Sequence, residues 1–312
     1  MNKISPVSAF YKYHLSGFVF ECNILLPELI EATTAPDFKL QVNKHPSPDI
    51  PEFALSSEYY KDDQKNFISL NIEGIGVIAI RNRCSFEFIP IQGLAFPQLK
   101  MYLLGTVSMV MAAFAGFVSI HGACILINNK AHLFCGPSGV GKSSLASWFY
   151  SRGYTILSDD VVNVKLSEDG ELLAFGNVPR IKLTEESLSF LGHNKGELES
   201  IPSLRQKYSL PLAQSYSSAG YPIARVILPY FAPQETQLSP LTGISKLEEI
   251  SKHIYRKKIA VGLGFQESIY RILFELTQKI PMLYFSREKS EQKMLDSFLF
   301  IENELSIADS TS

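Results

Sequence analysis

The spacing of apolar residues changes along the chain, and the changes divide it. Across residues 1–95 the apolar runs are short and punctuated by turn residues. Those at 18–20, 67–70, 77–80 and 86–88 have strand character. The stretch 33–52 is rich in Pro, Asp and Lys and reads as loop. This pattern predicts a small, mostly β accessory domain over 1–95. It contains no constellation of residues suited to chemistry.

A second pattern starts at residue 96. Helical spacing is expected to about 115, then a strand over 118–128, a tight turn at Asn128-Asn129-Lys130 and a returning strand over 131–135. A helix follows to Arg152, with Gly153 suited to the left-handed position that ends it. A strand over 154–157 comes next, then a hairpin pairing 161–164 with 172–175 around Asp169-Gly170. Residues 183–191 read as a short helix, and 193–219 as polar and irregular. Strands at 224–228 and 281–285 alternate with helices at 246–255, 265–277 and 286–302. The expected second domain therefore covers 96–305, and 306–312 is expected to be a disordered tail.

One segment could be mistaken for a membrane span. Residues 101–120 carry no charge and are long enough to cross a bilayer. Gly105, Thr106, Ser108, Gly116 and Ser119 dilute the run, so a buried helix ending in a turn at Gly116 fits better. No membrane association is expected. The N-terminus lacks the charged and apolar regions of a signal peptide. A formal charge of −2, from 29 basic and 31 acidic residues, gives no net field to recruit nucleic acid. Cys22, Cys84, Cys124 and Cys135 show neither metal-ligand nor disulfide-scaffold spacing, which suits a reducing cytoplasm.

The strongest chemical signal is Gly136-Pro137-Ser138-Gly139-Val140-Gly141-Lys142-Ser143, followed by Ser144. It fits the phosphate-loop pattern, with an apolar strand before it and a helix after it. Glycines let successive backbone N–H groups converge on an anion, and the helix N-terminus adds its unpaired donors and dipole. Lys142 would place a cation on the β- and γ-phosphates of ATP, and Ser143 would offer its hydroxyl to Mg²⁺.

Seventeen residues after Lys142 stand Asp159 and Asp160, at the end of the expected strand 154–157. A strand that follows the loop helix can lie beside the loop strand and bring its end to the phosphates. Two adjacent carboxylates there have two jobs, accepting a hydroxyl proton and holding the metal. The base is assigned to Asp159 and the metal to Asp160. His121 falls at the strand end nearest Cys135, close to the loop, where it could orient a carboxylate or a phosphoryl oxygen. Arg180, Lys182, Arg205 and Lys207 are candidates for neutralising charge during transfer.

These residues look familiar as a set. His121-Gly122-Ala123-Cys124-Ile125-Leu126-Ile127, the glycine-rich loop, Arg152-Gly153 and Leu157-Ser158-Asp159-Asp160 resemble the catalytic domain of HPr kinase/phosphorylase in order and spacing. Leu103-Leu104-Gly105 and Pro179-Arg180 are similar to a divergent HPr-kinase-like branch that includes lasso-peptide precursor kinases. The resemblance is strong over about 100–185, weaker over 200–300 and only general over 1–95. It implies an α/β fold: a P-loop kinase domain of the HPr kinase/phosphoenolpyruvate carboxykinase-like type behind a small β-rich N-terminal domain. It also implies Asp159 as base with His121 as neighbour, and a possible homo-oligomer. The downstream Asn/Arg-rich motif linked to dephosphorylation is missing, so neither phosphorylase activity nor HPr as substrate is expected.

The expected function is ATP-dependent phosphoryl transfer to a hydroxyl, on a serine of a peptide or protein. A small-molecule kinase and a non-transferring nucleotide switch are the alternatives. A GTPase is disfavoured because Asn194-Lys195-Gly196-Glu197 ends in the wrong residue for base reading.

Overall fold

The computed structural model of the chain describes residues 9–190, 192–194, 196, 198–201, 206–212, 219–233 and 235–310. It is a mixed α/β protein built around three sheets. The first sheet uses β1 (Tyr11–Leu15), β2 (Phe18–Cys22), β3 (Ile30–Glu31), β4 (Phe38–Val42), β5 (Tyr59–Asp62), β6 (Phe67–Ile72), β7 (Gly76–Arg81) and β8 (Ser85–Pro90), with the short helix α1 (Glu52–Ser56) between β4 and β5. Its order is β3-β1-β2-β4-β8-β7-β6-β5. Strand β4 corrects the reading of 33–52 as loop. It pairs in parallel with both β2 and β8. Phe38, Leu40 and Val42 are buried while Lys39 and Gln41 are exposed, a period-2 pattern hidden by the Pro and Asp residues around it.

Helices α2 (Phe96–Tyr102) and α3 (Ser108–Phe114) are joined by a single π-helical turn, Leu103–Val107. Leu99, Leu103, Val107, Val110 and Met111 share one core with Phe20, Leu40 and Phe86 of the first sheet. The uncharged run is thus an interior helix, and among the described residues no helix is long and apolar enough to cross a membrane.

The second sheet contains β9 (Val118–Ile127), β10 (Lys130–Cys135), β11 (Thr155–Ser158), β12 (Val161–Leu166), β13 (Leu172–Phe175), β17 (Tyr221–Phe231), β18 (Gln237–Leu241) and β19 (Met282–Arg287). Strands β14 (Arg180–Thr184), β15 (Glu199–Ile201) and β16 (Lys207–Pro211) form the third. The hairpin β9–β10 closes at Ile127↔Lys130 over Asn128 and Asn129, both with positive φ, as a two-residue primed turn requires. Strand β9 is buried on both faces. Ile120, Cys124 and Leu126 enter one core, and Ala123, Ile125 and Ile127 another. Strands β10, β17 and β19 run parallel, so their C-terminal ends gather at one rim.

Helix α4 (Lys142–Ser151) packs Leu145, Ala146 and Phe149 against that sheet. It ends at Gly153, with φ +88°, where Tyr154 N–H donates to Phe149 O and Gly153 N–H to Tyr150 O. The expected helix over 183–191 is only α5 (Glu185–Phe190), because 180–184 are strand β14. The region 193–219 holds β15 and β16 rather than being irregular throughout. The helix expected over 246–255 ends early as α6 (Ser245–Ser251), and a separate helix, α7 (Lys257–Gly262), follows it. Helix α8 (Gln266–Lys279) follows. The last helix, α9 (Glu291–Ser310), starts beyond β19, and the tail expected from 306 is helical as far as Ser310.

Candidate active site

Strand β10 leads into the glycine-rich loop, and helix α4 leads out of it. Gly141 is the N-cap residue of α4 in a left-handed conformation, φ +91°. A side chain there would also run into the Arg287 guanidinium. Arg287 Nη2 donates to Val140 O at 2.6 Å, and the guanidinium lies 4.7 Å from the centre of the Phe231 ring. Burial pushes Arg287 down to about 10. Pro137, Ser138 and Gly139 face solvent, while Gly136 and Val140 are buried. The buried Lys142 ammonium donates to Gly136 O at 2.6 Å and Pro137 O at 3.1 Å, inside the curl of the loop. Burial also lowers its pKa. Ser144 Oγ is 3.0 Å from Ser187 Oγ, which links the start of α4 to α5.

The acid pair lies just past β11. Asp159 is 3% exposed. Its Oδ2 accepts the Lys182 backbone N–H at 2.8 Å, and its Oδ1 has no hydrogen-bond partner. Burial pushes Asp159 up to about 6, against the opposing pull of the Lys182 N–H and the nearby Ser143 hydroxyl. Asp160 behaves oppositely. Burial works against its charge, but the Lys182 ammonium, 2.6 Å from Oδ2, together with the charges of His121 and Lys207, outweighs it and holds Asp160 at about 2. One lysine thus serves both carboxylates, one through its backbone and one through its side chain.

His121 Nδ1 lies 3.6 Å from Asp160 Oδ1, so its carboxylate neighbour is Asp160 rather than the Asp159 that the resemblance implies. The Cys135↔Gly122 pairing puts it one residue past the strand end that feeds the loop. Burial, then the charge of Lys142, lowers its pKa and favours the neutral ring. Lys207, on β16, is close enough for its charge to act on both Lys142 and Asp160. Arg180 is buried at the start of β14 and makes no hydrogen bond through Nε. Arg205 lies outside the described residues.

Arg287 and His253 escape a reading of the sequence. His253 accepts the His121 backbone N–H at 2.7 Å through its carbonyl, and burial, then the charges of Lys142 and His121, push it down to about 4. The signal available for Arg287 is positional, since it ends a strand whose parallel neighbours end at the loop.

The donors fit Mg²⁺ and a polyphosphate. Magnesium takes oxygen ligands from one or two carboxylates together with substrate phosphates. Ser143, the partnerless Oδ1 of Asp159 and the Asp160 carboxylate are oxygens of that kind.

No protein-family model matches the chain. HPr kinase/phosphorylase of Lachnoclostridium phytofermentans is 36% identical over 64 residues, 20% of each chain. That of Listeria welshimeri is 37% identical over 67 residues, 22% of this chain and 21% of the relative. HPr kinase/phosphorylase 1 of Oceanobacillus iheyensis is 38% identical over 66 residues, 21% of each. The chain thus spans about a fifth of the length of the curated relatives it matches. The solved HPr(Ser) kinase/phosphatase of Coxiella burnetii aligns with 61% of this chain and 98% of its own, at 11% identity and a TM-score of 0.30, too loose to bear on the fold. Over the short stretch that aligns in sequence, this chain is similar to the HPr kinase/phosphorylases.

Proposed function

We propose that the chain is an ATP-dependent kinase that transfers the γ-phosphoryl group to a serine hydroxyl of a peptide or protein. The observation that carries this reading is the pairing of a glycine-rich helix start with a buried acid that keeps one oxygen free, Asp159 Oδ1. The backbone N–H groups of 138–144 and the Lys142 ammonium cradle the β- and γ-phosphates. Ser143 and Asp160 would hold Mg²⁺, which would supply charge neutralisation at the phosphoryl oxygens.

Asp159 is the base. As the acceptor oxygen bonds to the γ-phosphorus, its proton passes to Asp159 Oδ1, the bond from phosphorus to the bridging oxygen breaks, and ADP leaves. A base near pH 6 is well matched to that task at neutral pH. Asp160, held near 2, stays ionised and suits the metal side. Lys182 fixes the pair, and His121 orients Asp160. The protein acceptor follows from the likeness to kinases named for the protein HPr. Incubation with γ-labelled ATP, Mg²⁺ and a degenerate serine-peptide library tests the proposal. Label on serine, lost in Lys142→Ala, is expected; release of free phosphate with no labelled peptide would contradict it.

A further inference from the structure

The acid pair has a second side. A cavity of about 150 Å³ touches Asp160 and Lys182 but none of the loop residues 136–144. Its walls include Gly105 and Thr106 of the π turn, Asn177, Arg180, Tyr255 and Arg256. The space is far larger than the roughly 15 Å³ that one water needs.

Two buried polar groups on this wall lack partners. Arg180 is 9% exposed and its Nε donates to nothing. Among the described residues no carboxylate pairs with it, although the charges of Glu28, Asp160, Glu199 and Asp159 reach it. Asn177 is 6% exposed and its Oδ1 accepts nothing. A buried guanidinium without a partner is costly, as is a buried amide oxygen without a donor. The wall itself is unusual. A π turn is a feature often found at functional sites, and Gly105 leaves room for the Tyr255 hydroxyl, which a Cβ would meet at 3.1 Å. Arg256 sits at the rim with φ +50°, a strained conformation for a residue with a side chain.

We propose that this cavity is the acceptor subsite and that it reads a carboxylate carried beside the reactive hydroxyl. The proposal rests on the transfer reading above and names its substrate class: a serine segment with an adjacent acidic residue. The Arg180 fork takes the carboxylate oxygens, Asn177 Oδ1 takes an N–H of the acceptor backbone, and the hydroxyl is left next to Asp160, the sequence neighbour of the base. A monoanion fits better than a phosphate. The four carboxylates around Arg180 repel a charge near −2 more strongly than a charge of −1.

The test uses the full chain and blocked dipeptides, N-acetyl-Ser-Asp-amide and N-acetyl-Asp-Ser-amide, against their Asn counterparts and inorganic phosphate, by titration calorimetry. The better acidic dipeptide is expected to bind at least about tenfold more tightly than its Asn counterpart, and more tightly than phosphate. Arg180→Gln should erase the preference. Arg256→Gly, which relieves the positive φ, should keep the wild-type melting temperature and reduce the preference by about threefold. Equal affinities for acid and amide, measurable or not, overturn the proposal. So does tighter binding of phosphate, or a preference that survives in folded Arg180→Gln. If Arg180→Gln does not fold, an unchanged preference in Arg256→Gly overturns it. MgATP titrated into the same protein separates the two readings: an acid preference without ATP binding sinks the transfer reading, and ATP binding without an acid preference sinks the subsite alone.

Discussion

Two carboxylates lie at almost the same depth, one within a sheet and one just past a strand of another. Glu87, in the first, is 2% exposed, and Asp159, beside the second, is 3% exposed. Glu87 is fully occupied: Oε1 accepts from Asn43 Nδ2 at 2.9 Å and Ser47 N–H at 3.0 Å, and Oε2 from Arg81 Nη1 at 3.1 Å. Asp159 holds one backbone N–H and keeps Oδ1 free. The first arrangement is what stability asks of a buried acid. The second leaves a cost unrelieved, and such costs gather where a ligand or a proton is to be received. Arg180 and Asn177 repeat the pattern on the far side of the acid pair.

The sharpest way to break this contrast is Asp159→Asn. Transfer is expected to fall by about 10²–10⁴-fold in a label-transfer assay. Stability should move the other way. Asp159 titrates near 6 in the fold against 3.8 for a free side chain, so its contribution is present below the unfolded value and lost as pH rises through 6. Removing the charge at pH 7 should therefore stabilise the protein by up to about 3 kcal/mol, read from denaturant melts. Transfer by the unmodified protein should fall about tenfold per pH unit below 6 as Asp159 takes up its proton. Glu87→Gln should do the reverse of Asp159→Asn: a loss of about 1–3 kcal/mol in the same melts, with transfer intact. The smallest effect is expected from Arg287→Lys. It keeps a charge near Val140 O but loses the stacked fork, and should weaken MgATP binding by about five- to tenfold.

How far the sequence could be read depended on where order was set. The β9–β10 hairpin was legible because Asn128 and Asn129 suit the positive φ of its turn and the flanking strands are mostly apolar. The loop, helix α4 and its Gly153 end were legible because each depends on local backbone chemistry. Strand β4 was not, since its place between β2 and β8 comes from parallel partners distant in sequence. Strands β14 and β16 were hidden for a similar reason: their pairing, Lys182↔Ser209 included, joins segments distant in sequence. The same pairing sets Lys182 on the acid pair, so its double role is a tertiary fact. The Arg287 contact likewise exists only once β19 lies beside β17.

The most direct test of the central claim is titration of MgATP into the wild-type chain, Lys142→Ala and Asp159→Asn. Wild type and Asp159→Asn should bind within about threefold of each other, and Lys142→Ala should lose at least about tenfold. Wild-type affinity in Lys142→Ala would place the nucleotide elsewhere and contradict the account.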